Sequence, residues 1–196
     1  MRIIVVLILL VLSVNLKGQN VTNRINDIRD MYQKTQKEKS HYQKQVKDIT
    51  WDSFEYDEDE DRTLKKAITY YYKANKIKIA VISTNIISDY SSYVKETECY
   101  FENDTIYFIY SVERHSERTS LNSEQSSETI NVKEERVYLN DLGKCIRYLK
   151  KEVDGSIENI DSLCKKEQNV EQDCSNSIDI IREINSLVNH SSTKND

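Results

Sequence analysis

Apolar residues change their spacing three times along this chain, and each change marks an element. Ile3 to Leu12 is an unbroken apolar run behind a single basic residue, Arg2. A short polar stretch then ends in Leu16-Lys17-Gly18. Basic start, short apolar centre and small residue at the end make a secretory signal peptide, residues 1–18. The run is too short to span a bilayer, which takes about 20 residues. No Cys lies near the expected cut, so the mature chain is expected to be soluble, with no stable membrane anchor, and periplasmic or secreted.

From Val21 to about Lys37 the period is helical: Val21, Ile25, Ile28 and Tyr32 share one face. This N-terminal helix and an acidic loop occupy residues 19–62, with Lys34 to Lys47 polar and ambiguous between helix and loop. Glu55, Asp57, Glu58, Asp59, Glu60 and Asp61 put six acids in seven positions. Asp57, Asp59 and Asp61 alternate as in a calcium loop. Arg62, however, stands where such a loop needs Gly, and Ile68 where it needs a bidentate Glu. A solvated acidic loop is the expectation, and no metal site is assigned.

From Ala67 the period becomes two, which defines an antiparallel meander over residues 63–155. With a turn at Ala74-Asn75, Tyr72 faces Ile77, Tyr70 faces Ile79 and Ile68 faces Val81, all on one side of the ribbon. Thr69, Tyr71, Lys73, Lys76 and Lys78 take the other side. With a turn at Asn103-Asp104, Phe101 opposes Ile106, Cys99 opposes Phe108 and Thr97 opposes Tyr110. Glu96, Glu98, Tyr100, Tyr107 and Ser111 then form the reverse face. A third hairpin turning at Leu142-Gly143 pairs Leu139 with Ile146 and Val137 with Tyr148. It also sets Glu135 against Lys150, Glu134 against Lys151 and Lys133 against Glu152. Ile130 and Val132 have the opposite parity to Val137 and Leu139, which predicts a bulge near Glu134 to Arg136. His115 to Thr129, rich in Ser and Glu, reads as a long loop. Past Asp154-Gly155 the chain turns polar. Residues 156–196 then hold a helix that Ser177 caps, with Ile180, Ile181, Ile184, Leu187 and Val188 on its apolar face, and a frayed tail from His190. The fold class is α+β: an antiparallel sheet of about six strands, in three hairpins, covered by N- and C-terminal helices.

Charge narrows the choice of partner. The 196 residues carry a net charge of −5. Loss of Arg2 and Lys17 with the signal leaves 26 basic residues against 33 acidic, a net charge of −7. Such a surface repels phosphate backbones and anionic bilayers, so neither nucleic acid nor a membrane is an expected partner. Hydrophobic content is only 38%, so the core should be thin, with 13 Tyr supplying much of it. Three Gly and no Pro leave no phosphate-cradling loop, and no cofactor is expected. Four Cys in an exported chain predict disulfides. Cys164 with Cys174 closes the shortest loop, and Cys99 with Cys145 follows by elimination. No Cys-x-x-Cys spacing argues for zinc.

Catalytic chemistry is hard to find. His41, His115 and His190 lie in three separate regions and read as surface residues. No nucleophile-elbow motif occurs. Glu134 and Glu135 are the best carboxylate pair, but neighbours on a regular strand point to opposite faces. No catalytic residue is assigned. Tyr70 and Tyr72 belong to the apolar side, which leaves Tyr71, Tyr100 and Tyr107 on the second face as candidate binding residues. The order of the pieces resembles a family of small exported proteins of Bacteroidota-type bacteria. The resemblance rests on Ile25 to Arg29 (Ile-x-x-Ile-Arg), Tyr70-Tyr71-Tyr72 leading to Lys76-Ile77, Glu98-Cys99-Tyr100-Phe101, and Glu135-Arg136-Val137-Tyr138. It covers roughly residues 20–153 and implies export and an N-terminal helix followed by a β-meander, with no activity attached. Two readings follow. The first is a non-catalytic exported module that binds a protein or small ligand through the second face or the 115–129 segment. The second is a hydrolase acting through Glu134 or Glu135.

Overall fold

The computed structural model describes residues 2–48, 63–122 and 125–192; the acidic run and Trp51 lie outside them. The chain divides into two units, Met1–Ser40 and His41–Asp196. The first is a single helix, α1 (Arg2–Glu38), which runs through the expected signal segment and the amphipathic stretch alike. Among its described side chains Ile25 and Ile28 are buried, and Val21 is exposed.

The second unit is a sheet of eight strands among the described residues, two more than the spacing predicts. They are β1 (Gln43–Asp48), β2 (Thr63–Lys73), β3 (Lys76–Ile87), β4 (Ser91–Glu102), β5 (Thr105–Asn122), β6 (Gln125–Leu139), β7 (Cys145–Ser156) and β8 (Val170–Gln172). Spatial order follows chain order and every pairing is antiparallel. β1 and β8 are the two not foreseen. β1 is polar with no clean alternation, and β8 is three residues long.

The turns are where the sequence put them. Ala74, Asn75, Asn103 and Asp104 all have positive φ, between 49° and 62°. Two consecutive positive-φ residues make the tight turn whose twist matches that of the flanking strands. Tyr72 pairs with Ile77 and Phe101 with Ile106, as expected. Then each hairpin takes in one extra residue. Tyr71 pairs with Ile79, so that Tyr70 meets Ala80 and Ile68 meets Ile82; Tyr100 pairs with Phe108, so that Cys99 meets Ile109 and Thr97 meets Ser111. Lys78 and Tyr107 are the inserted residues. Past each bulge the parity of the strand reverses: Ala80, Ile82 and Ile109 take the first face, while Ile79, Val81, Phe108 and Tyr110, expected there, go to the second. In the third hairpin Val137–Tyr148, Glu135–Lys150, Glu134–Lys151 and Lys133–Glu152 pair as read from the charges, and Leu139 meets Cys145 instead of Ile146.

The first face of the sheet carries Ile68, Tyr70, Ala80, Ile82, Cys99, Phe101, Ile106, Ile109, Val137, Leu139 and Tyr148. Helix α3 (Ile178–Ser192) lies on it through Ile184, with Ile180, Ile181 and Leu187 half-buried. Val188 and His190 fall among residues whose side chains are not described. Ser177 does precede α3, but its hydroxyl donates to the Cys174 carbonyl at 2.7 Å and does not accept from the helix.

Two expectations are corrected around β5 and β6. His115 to Thr129 is no loop: the ladder continues from His115↔Asn131 to Asn122↔Gln125. Backbone bonds need no apolar side chains. Arg118 pairs with Glu128 at 3.8 Å, and the Ser92 and Ser116 hydroxyls meet at 2.8 Å. Nor is there a bulge at Glu134 to Arg136, where the register with β7 runs unbroken. The parity of Ile130 and Val132 changes because the second face is covered there. Helix α2 (Ile160–Lys166) packs Ile160 and Leu163 on Val132 and Val153.

The disulfide is also corrected. Cys145 joins Cys174, with Cα atoms 5.7 Å apart. β8 returns antiparallel to β7, setting Gln172 opposite Tyr148, so Cys174 arrives beside the start of β7. Without β8 that proximity is invisible in the sequence. Cys99, expected to bond Cys145, is a free thiol buried in the first-face core. Cys164, expected to bond Cys174, is free and packs with α2 against the second face.

Candidate functional site

Of the three tyrosines read as candidate binding residues, only Tyr71 is not buried; it is partly exposed. Tyr100 is fully buried and Tyr107 is 3% exposed. Their rings sit 6.3 Å apart, Tyr100 is 5.7 Å from Phe108, and Phe108 is 5.0 Å from Tyr138. The Tyr100 hydroxyl donates to Glu98, so its polar end is satisfied inside. The bulge that inserts Tyr107 explains the burial: it sets Tyr107 beside Phe108 in one aromatic cluster.

Tyr71 is half-buried on β2, directly between Lys44 of β1 and Ile79 of β3. Lys78, the bulge residue, precedes Ile79. The Lys73 ammonium lies 6.0 Å from the centre of the Tyr42 ring, within cation–π range. Lys76 follows the Ala74-Asn75 turn and is exposed. Alternation places Thr69, Ala67 and Lys65 on the same side of β2 as Tyr71. Taken together, β1, β2 and β3 hold seven lysines (Lys44, Lys47, Lys65, Lys66, Lys73, Lys76, Lys78) and one acid, Asp48. The chain is acidic overall, yet its first three strands are strongly basic. Acid returns on β4 with Glu96, Glu98 and Glu102.

Several cations elsewhere in the sheet have carboxylate partners. Lys133 meets Glu135 at 3.2 Å, Lys150 meets Glu152 at 2.6 Å, Lys151 meets Glu134 at 2.5 Å and Arg147 meets Glu171 at 3.1 Å. Their charge is spent within the fold. Lys44, Lys65 and Lys76 are exposed and Lys78 half-exposed, and no carboxylate among the described residues lies within 4 Å of any of the four. Neighbouring ammonium groups raise the local positive potential and favour an anionic ligand.

The carboxylate pair is organised differently. Glu135 is buried on the first face, takes the Tyr148 hydroxyl proton donor and faces Lys133. Glu134 points to the second face, where Lys151 at 2.5 Å, the Tyr110 hydroxyl at 2.8 Å and Arg136 at 3.6 Å surround it. Burial pushes the Glu134 carboxyl up, but the Lys151 and Tyr110 hydrogen bonds and the Arg136 charge outweigh it and hold it below the ordinary 4.5. The sheet lies between the two carboxylates, so they cannot flank one scissile bond. They hold β6 to β5 and β7.

His115 lies on β5, exposed, 3.7 Å from Glu117. His41 closes a single 3-10 turn after α1. Among the described residues no three His, Cys, Asp or Glu side chains gather as a metal site. A cleft of about 20 Å³ beside α3, bordered by Thr84, Lys95, Thr97 and Glu183, has room for one water. No helix among the described residues is long and apolar enough to cross a membrane. The Cys145–Cys174 bond fits an oxidising compartment.

No protein-family model, curated protein or solved structure matches this chain. The site is therefore argued from geometry alone. Sequence alternation placed Tyr71, Lys73, Lys76 and Lys78 on the polar side of the first hairpin. It missed Lys44, because β1 itself went unread. Counting charge over the whole chain also hid the contrast; counting by segment would have shown it.

Proposed function

We propose that this chain is an exported, non-catalytic binding module whose contact surface is the Tyr71 end of β1, β2 and β3. The observation that carries the reading is the partly exposed Tyr71 with Lys44 and Lys78 on the adjoining strands. An aromatic ring offers a flat apolar face to a sugar or a peptide side chain, and the ammonium groups fix the ligand's orientation. The Cys145–Cys174 bond and the signal-like start support export.

A panel of immobilised neutral and acidic oligosaccharides and peptides tests it. The wild-type chain is expected to be retained by at least one class, and Tyr71→Ala, with an unchanged circular dichroism spectrum, to lose most of that retention. Retention indifferent to Tyr71→Ala, or no retention at all, overturns the reading.

A further inference from the structure

We infer that the ligand of this surface is an anionic polysaccharide, a chain of sugars bearing carboxylates or sulfates. The inference rests on the binding-module reading and adds the chemistry of the partner. Lys44, Lys76 and Lys78 are grouped at one end of the sheet, where β1 and the β2–β3 turn come together. Lys44 and Lys78 stand on the strands either side of β2, about 10 Å apart on the spacing of neighbouring strands. Tyr71 lies between them. A row of fixed cations interrupted by an aromatic ring suits a polymer that alternates anionic groups with the apolar face of a sugar ring. An extended polymer can engage several lysines at once, and it releases counterions as it does so.

Two other polyanions fit less well. A bilayer surface is gripped by several apolar side chains that insert between lipids, and here the neighbours of Tyr71 are Lys44, Thr69 and the buried Ile79, with Val46 the exposed apolar side chain beside them. Nucleic acid would use the lysines equally, but the export signals remove it from the compartment. The acids between Asp52 and Asp61 belong to the connection from β1 to β2. The full chain is used below, so that connection is present in every measurement.

The probe is polygalacturonate, a polymer of uronic acid, titrated into the full-length oxidised protein across a series of salt concentrations. Wild type is expected to bind with an affinity that falls steeply with salt. K44E/K76E/K78E is expected to lose at least tenfold in affinity, and the log–log salt slope to shrink by about one for each lysine removed. Tyr71→Ala is expected to lose severalfold while keeping the wild-type slope, which separates ring stacking from charge. K165E/K166E, on the exposed side of α2, should match wild type. An unchanged slope in the triple variant overturns the inference. So does equal affinity for polyphosphate or for phosphatidylglycerol vesicles with no effect of Tyr71→Ala. If a neutral glucan or a peptide is retained through Tyr71 with no contribution from the lysines, the anionic ligand falls and the binding module stands. If neither Tyr71 nor the lysines affect any probe, both fall.

Discussion

Removing the Cys145–Cys174 bond should cost this chain a large share of its stability. The bond joins residues 29 apart in sequence, and the segment between them holds β7, α2 and β8. The chain-entropy relation for a loop of that length gives about 3.6 kcal/mol at 25 °C. A domain of this size is stable by about 5–15 kcal/mol, so the loss is severe without forcing unfolding. The bond also fixes the start of α3, whose Ile184 is buried on the first face, so the helix loses its anchor as well. Urea denaturation of C145S/C174S against wild type measures the effect. With a slope of about 2 kcal/mol/M, the midpoint should fall by about 1.8 M. Cys164→Ser should stay within about 0.5 kcal/mol of wild type, because that thiol bonds to nothing covalently. Alkylation of the denatured, unreduced protein should tag Cys99 and Cys164 and spare the other pair. A loss below about 1 kcal/mol in the double variant would refute the reasoning, as would an equal loss in Cys164→Ser.

Three further outcomes follow from the packing. The folded Glu134 carboxyl titrates below 4.5, so its ion pair with Lys151 stabilises the fold above that pH and fades as pH falls through the lower folded value. Glu134→Gln should flatten the acid limb of a stability-versus-pH curve, and an unchanged limb would contradict the pairing. Burial pushes the Tyr70 phenol up to about 12, helped by Tyr72 and Cys99, and burial with Glu113 does the same for Tyr93. Both groups favour the folded state below about pH 10, and that stability is lost as pH rises towards 12. Ultraviolet phenolate titration should therefore show a late, cooperative step. Gly155→Ala should cost about 1–3 kcal/mol by thermal melting, since the added Cβ would meet the Asn159 side-chain oxygen at 2.6 Å and Leu163 at 2.9 Å. A neutral result would mean that α2 does not rest on β7.

The three hairpins were legible because each satisfied two independent demands. Asn-Asp and Ala-Asn turns accept positive φ, and the flanking residues alternate in phase. Glu134, Glu135 and Lys133 found their partners because opposite charges select one register over its neighbours. Bulges defeated the reading a few residues past each turn, since an inserted Lys78 or Tyr107 changes who pairs and turns Ile79, Val81 and Phe108 to the opposite side. The 115–129 segment was misread because a polar ribbon is held by its backbone ladder, and backbone hydrogen bonds leave no mark on composition. The disulfide depended on β8, too short to carry any period. At the site, Tyr71 was visible from alternation. That Tyr100 and Tyr107 are buried was not, because it follows from aromatic packing across β4, β5 and β6.

Amide chemical-shift mapping tests the proposed surface most directly. Labelled protein is titrated with a galacturonate oligosaccharide, and every backbone resonance is followed. Shifts concentrated on Lys44, Tyr71, Lys76 and Lys78, saturating together, are the predicted result. Shifts centred on the β5–β6 ribbon, or absent from β1 to β3 at saturation, would contradict it.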